Sequence, residues 1–203
     1  MPPTFADAIA DSRPLHVLRP DEVAGFVDNE GAIWATWLAA NGFKGGAGEL
    51  CLLPGKDGGI AAAVAGVGAP HLARRQRFAI AKVVDRLPQG AWRLSGKLSV
   101  RERTEAALGW LLSGYSFDRY RPGKTHTERP GLICPAGLDA PRLLAMAEGE
   151  GLTRDLINTP AQDMGPAELE AATRDLAARF GATVEVTVGD DLLAANFPMI
   201  HAV

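Results

Sequence analysis

Cysteine is scarce in this chain, with two among 203 residues, and what surrounds the two excludes most cysteine chemistry. Cys51 and Cys134 each lie inside an apolar run, "ELCLLP" and "GLICPAG", and neither has a second Cys or a His at ligand spacing. That disfavours a disulfide framework and a zinc site, and fits two small buried hydrophobes in a reducing, cytoplasmic compartment. Histidine is scarce too. His16, His71, His126 and His201 are scattered, with no HxH or HxxxH arrangement, so each reads as a structural or solvated residue. No Gly-x-Ser-x-Gly and no Gly-x4-Gly-Lys-[Ser/Thr] occurs, which removes the commonest serine-hydrolase and P-loop signatures. Charge of one sign is not in excess: 21 Lys and Arg against 24 Asp and Glu leave a net charge of -3. A general nucleic-acid role usually shows as a basic balance and is disfavoured. The uncharged run "GGIAAAVAGVGAP" is too short and too rich in Gly and Ala for a span of ~20 residues. The opening "MPPTFADAIADSRP" lacks the basic and then apolar regions of a signal peptide.

What is present is an alternation of short β-type runs with longer helical ones. "PLHVLRP" (14–20) reads as a strand and "AIWATWLAANGF" (32–43) as a helix ended by Asn41-Gly42. "GELCLLPG" and "GIAAAVAGVG" read as a hairpin around "PGKDGG". Helical spacing is expected over 71–87, 99–115, 139–158 and 166–181, and short strands over "GAWRLSG" and 129–137. Residues 182–189, "ATVEVTVG", alternate as a strand, and "DDLLAANF" follows as a helix with acidic residues at its positive end. Strands alternating with helices give an α/β fold, a mixed sheet flanked by helices. The chain closes on "NFPMIHAV", an apolar run without a turn signal, so a piece of a larger fold is expected.

Three features invite a functional reading. Between residues 74 and 103, nine Arg and Lys residues face only Asp85 and Glu102. This reads as a solvated helix face and loop, with an acidic partner surface as the alternative. The glycines of "NGFKGGAGEL" (41–50), with Lys44, could cradle a phosphate, or simply form the turn between a helix and the next strand. Asp190-Asp191 could be imagined as metal ligands, but adjacent carboxylates at a helix start are more simply first-turn residues. No catalytic constellation follows from these residues.

The stretch "RDLINTPAQDMGP" (154–166) concentrates conformationally restricted residues on one connection. Thr159 before Pro160 is biased away from the α region and ends a helix, and Gly165-Pro166 presets the next. With the helix that follows, this segment resembles the leucyl aminopeptidase (cytosol aminopeptidase) family, at Arg154, Asp155, Leu156, Asn158, Thr159, Pro160, Asp163, Gly165 and Pro166. Gln162 stands where many relatives have Asn. "GYSFDRY" (114–120) and "DDLLAANFPMIHAV" also resemble tracts on either side of that junction.

The resemblance implies a two-domain metalloaminopeptidase, a cytoplasmic hydrolase that removes N-terminal residues from peptides. On it, 1–150 is a macro-like N-terminal α/β domain, and 151–203 holds the junction with the first helices and strand of an α/β metallopeptidase domain. The parent would carry two divalent ions, Mn²⁺ or Zn²⁺, bridging and activating a water, and would assemble as a homo-hexamer. The family's metal and catalytic residues lie in a Gly-Lys-Gly segment with Asp-(Thr/Ser)-Gly-Gly, and in Asn-Thr-Asp-Ala-Glu-Gly-Arg. Neither motif occurs here, so no catalytic, metal or substrate-binding residue carries over, and no cofactor is expected in this chain. Two other readings stand beside it: a macro-like module binding a nucleotide such as ADP-ribose through the 42–48 glycines, and a non-catalytic scaffold paralogue.

Overall fold

A computed structural model describes residues 2–9, 11–30, 32–121 and 128–203, and leaves His126 outside them. The chain divides into two compact units, Met1–Arg154 and Asp155–Val203.

The first unit is built on a five-stranded sheet of order β2-β3-β1-β4-β5. The strands are β1 (Arg13–Leu18), β2 (Leu50–Pro54), β3 (Ile60–Gly66), β4 (Ala91–Ser95) and β5 (Gly131–Leu132). β1 runs parallel to both β3 and β4, β4 runs parallel to β5, and only the β2–β3 hairpin is antiparallel. Period-two alternation sorts the side chains to two faces. Leu15, Val17, Ala63 and Ala65 join one core with Trp92 and Leu132, while Leu18, Cys51, Leu53, Ala62 and Val64 join the other. Both faces are therefore covered, as a largely parallel sheet requires.

Helices α1 (Val23–Glu30) and α2 (Ala32–Ala40) belong to the second core, which Leu38 enters from α2. The two α2 indoles also protect the sheet edge, Trp34 Nε1–H donating to Pro54 O at 3.1 Å and Trp37 Nε1–H to Leu52 O at 2.8 Å. Edge carbonyls left bare would template strand addition. Helices α3 (Val100–Ser113) and α4 (Ala140–Asn158) supply Ala107, Trp110, Leu143 and Ala147 to the first core. Helix α3 starts at Ser99, whose Oγ accepts from Glu102 N–H while the Glu102 carboxylate accepts from Ser99 N–H, the reciprocal cap of a Ser-x-x-Glu sequence.

Two expectations for this unit change. Residues 71–87 form no continuous helix but short 3-10 turns at Pro70–Leu72, Ala79–Lys82 and Val84–Arg86. Phe78 breaks the run with φ 58°, a left-handed conformation costly for a bulky residue and held only by its surroundings. The turns still bury Ile80, Val83, Val84 and Leu87, since i, i+3, i+4, i+7 spacing serves either helix type. The strand expected over 129–137 shrinks to β5.

In the second unit, α5 (Pro166–Phe180) starts with Pro166 in its first turn, Glu168 Oε2 accepting from Gly165 N–H at 3.0 Å, and ends at Gly181 with φ 64°. Two short helices, α6 (Asp191–Ala194) and α7 (Pro198–His201), follow. Residues 182–189 are not a strand. Their alternation is real, but a strand exists only with a paired edge, and the described residues of this unit contain no strand to supply one.

Candidate functional site

The carboxyl ends of the parallel strands are where this fold gathers chemistry. From β1 the chain crosses to β3 on one side, and from β4 to β5 on the other, so direction reverses between β1 and β4. Such switch points leave a crevice outside the strand ends, with a helix N-terminus beside it. Here the neighbours are Arg19 after β1, the 44–48 glycine loop, and the start of α3.

The glycine loop packs against the strand ends and holds an internal anion. Gly45, at φ 78°, sits so close to the Arg19–Pro20 peptide that a Cβ would lie 2.8 Å from Pro20 N. Lys44 N–H donates to Glu49 Oε2 at 2.8 Å, and Gly48 N–H donates to Gly66 O at 3.0 Å. The place at which a phosphate would be bound is thus engaged by the Glu49 carboxylate. The same holds at the N-terminus of α3, where Glu102 accepts from Ser99 N–H at 2.9 Å and Ser99 Oγ–H at 2.6 Å and pairs with Arg19. Each position that would attract a phosphate carries the chain's own carboxylate, so the nucleotide reading of the 42–48 glycines gains no support from the geometry.

Partial burial pushes the Glu102 carboxyl up, but the Ser99 hydrogen bonds and the Arg19 guanidinium outweigh it and hold the pKa below the usual range. A pKa lower in the folded state gives stability that is present above the unfolded carboxylate pKa and lost as pH falls through the folded value. Glu102→Gln is therefore expected to cost about 1 kcal/mol at neutral pH, moderated by solvent screening. Urea titrations should show the gap to wild type closing in acid, and a gap independent of pH would contradict the assignment.

The basic interval is largely consumed internally. Arg77 and Arg101 pair with Glu105, Arg86 donates to Gly48 O, Arg93 to Ser12 O and Arg103 to Ala136 O. His16 packs among Phe26 and Trp34, with ring centroids 4.9 and 6.1 Å away, while His71 is exposed in a 3-10 turn. His201 Nε2 lies 3.1 Å from Asp190 Oδ1. Asp190 and Asp191 open a four-residue helix as the sequence suggested. Among the described residues, no group of three or more His, Cys, Asp or Glu comes together to hold a metal. A divalent ion finds no donor set among them. Burial raises the pKa of both Cys51 and Cys134, which disfavours the reactive thiolate. No helix among the described residues is long and apolar enough to cross a membrane.

In the junction segment, Thr159 ends α4 by directing both its N–H (3.0 Å) and its Oγ–H (2.7 Å) to Asp155 O, and Asp163 N–H closes a turn on Pro160 O at 2.9 Å. Arg154, on the preceding unit, stacks 3.8 Å from the Tyr115 ring centroid. The residues that carried the family resemblance thus make local joints of defined geometry.

The fold defines a class first: an α/β domain, a mixed sheet flanked by helices. A family follows from direct comparison. Residues 13–135 match the N-terminal domain of the M17 aminopeptidases, and the chain belongs to that family. It is 34% identical over 176 residues to a probable cytosol aminopeptidase of Leifsonia xyli subsp. xyli, covering 80% of this chain and 35% of that protein. It is 35% identical over 164 residues to one from Aeropyrum pernix, covering 77% of this chain and 32% of the relative. A crystal structure of the cytosol aminopeptidase from Coxiella burnetii superposes with a TM-score of 0.79 at 29% identity, over 92% of this chain and 40% of the other. The chain thus spans about a third of the length of the curated relatives it matches.

Proposed function

We propose that this chain is the N-terminal portion of a metal-dependent aminopeptidase that removes N-terminal residues such as leucine from peptides. The observation that carries the reading is the match of 13–135 to the family's N-terminal domain, joined to a junction segment with the family's Asn-Thr-Pro and Gly-Pro residues. In the parent, two divalent ions, Mn²⁺ or Zn²⁺, activate a water and polarise the scissile carbonyl. Six copies assemble in the cytoplasm, and the present domain helps to organise subunits and substrate access.

On this reading the chemistry belongs to the rest of the parent, and the second unit supports that division. No α5 residue is buried, and Leu169, Leu176 and Phe180 lie 50%, 38% and 72% exposed along it. An amphipathic helix with a bare apolar stripe belongs against further structure, and the remaining length of an aminopeptidase is the cover that fits the family.

The test is direct. The purified 203-residue chain, supplied with Mn²⁺ or Zn²⁺, is expected to leave leucine amide substrates unhydrolysed. Metal-dependent turnover by the pure chain would overturn the proposed division of labour.

A further inference from the structure

Among the four asparagines of the chain, Asn41 alone precedes a glycine, whereas Asn29, Asn158 and Asn196 precede Glu, Thr and Phe. A glycine has no Cβ to obstruct its own backbone nitrogen, so that nitrogen reaches the preceding side-chain carbon Cγ most easily in an Asn-Gly pair. Asn41 is exposed and sits one residue beyond α2. Whether the pair reacts depends on how the helix end holds it.

A hydrogen-bonded cap closes that end. Phe43 N–H donates to Leu38 O and Gly42 N–H to Ala39 O, both at 3.0 Å, with Gly42 left-handed at φ 64°. This is the pairing of a Schellman motif with Asn41 at the C-cap. Its apolar clasp is present too, since Leu38 and Phe43, 1% and 9% exposed, belong to the same core. The cap restrains both reacting groups. The Gly42 nitrogen is committed to Ala39 O, and the Asn41 side-chain amide donates to Trp37 O at 2.8 Å. Attack needs both bonds broken, so the reaction is available only while the cap is open.

We propose that Asn41 is a deamidation site gated by this cap, so that its conversion times the opening of the α2 end. In the open state the Gly42 nitrogen bonds to Asn41 Cγ and loses its proton, the Cγ–Nδ2 bond breaks, and ammonia leaves. Water then opens the five-membered succinimide at either carbonyl, giving aspartate or isoaspartate in place of Asn41. Neither product restores the cap. The new carboxylate has no proton to give Trp37 O, and it lies at the negative end of the helix dipole. Isoaspartate also adds a methylene to the main chain between Leu38 and Phe43, which takes Phe43 N–H out of register with Leu38 O. Opening is reversible and conversion is not.

The test follows the 203-residue chain in mildly alkaline buffer, native and in urea, by peptide mass mapping with an isoaspartate methyltransferase assay. Asn41 is expected to convert before the other asparagines in both conditions. In the native chain it should convert about ten- to a hundredfold more slowly, as local opening of a helix end allows. Phe43→Leu and, as a milder change, Leu38→Met loosen the clasp. Each, once shown to be folded by circular dichroism, should speed the native reaction about threefold or more and leave the rate in urea unchanged. Asn41→Gln should abolish conversion there, because its side chain is one methylene too long for the five-membered ring. The converted chain, separated by its added negative charge, should melt about 2–4 °C lower, equivalent to one lost cap. Equal rates in the native and unfolded chain overturn the proposal, as does earlier conversion at another asparagine. So do no native conversion after several hundred of the half-lives seen in urea, native rates unchanged in both clasp variants, or a converted chain as stable as the original.

Discussion

Trp92→Ala is expected to lower the stability of the five-stranded unit by about 3–5 kcal/mol, the range for truncating a large buried aromatic. Trp92 is 0% exposed and is the largest fully buried side chain. It sits where β1, β4 and β5 meet, opposite Arg13 on one side and Leu132 on the other. Its Nε1–H donates to Pro88 O at 2.9 Å, and the Arg13 guanidinium carbon lies 4.5 Å from its ring centroid. Alanine removes the packing, leaves Pro88 O without that donor and strips Arg13 of its aromatic face. Trp92→Phe keeps most of the volume and loses mainly the hydrogen bond, so its cost should be about 1–2 kcal/mol. Denaturant midpoints measure both. Since a domain is stable by only about 5–15 kcal/mol, the alanine variant should be partly unfolded under mild denaturant. A loss below about 1 kcal/mol, typical of surface positions, would contradict the placement of Trp92 at the centre of the core.

How much of this could be read beforehand depends on whether local or distant residues decide each feature. The β2–β3 hairpin was legible because "PGKDGG" supplies turn chemistry between two apolar runs, and Gly59 N–H indeed closes on Asp57 Oδ1 at 3.1 Å. Helices α3 and α5 announce their own ends through Ser99 with Glu102 and through Pro166 with Gly181. The 71–87 segment did not, because its apolar spacing suits a helix and a series of 3-10 turns equally, and packing against α3 decides between them. Helix α1 is faint in the sequence because Gly25 and the Asp28-Asn29 pair depress its propensity, although Asp21 and Glu22 in the preceding turn are a usable start signal. The 182–189 alternation is a real pattern without a strand, since pairing depends on a neighbour that no single sequence reveals.

The functional readings divide in the same way. The junction residues Thr159, Pro160, Gly165 and Pro166 act through local backbone geometry, and they carried the family resemblance. The glycine loop admits two readings in sequence, and the Glu49 carboxylate on Lys44 N–H favours the turn. The crevice at the strand ends is invisible in the sequence, because Val17, Gln76 and Glu105 come from three distant segments and only the fold brings them together.

Gly66→Ala tests the seating of the glycine loop on the strand end most severely. Gly66 ends β3 under the glycine loop, and a Cβ there would lie 2.6 Å from Gly45 C and 2.8 Å from Gly45 O, and closer still to Gly46 O. These are backbone atoms, so no side chain can swing away. Either the loop lifts or the strand shifts, and the hydrogen bonds at stake are Gly66 N–H to Glu49 O, Gly48 N–H to Gly66 O and Gly68 N–H to Gly45 O, at 3.0, 3.0 and 2.9 Å. Losing one or two of them while bending a parallel strand is expected to cost on the order of 3–5 kcal/mol. For a chain of this length that corresponds to a fall in Tm of about 10 °C. Gly25→Ala is the matched control, an exposed helical position where a Cβ meets nothing within 4 Å. It should instead stabilise by about 0.5–1 kcal/mol. Calorimetry on the pair separates crowding from any general intolerance of substitution. If Gly66→Ala melted with wild type, the loop would not lie on the strand end.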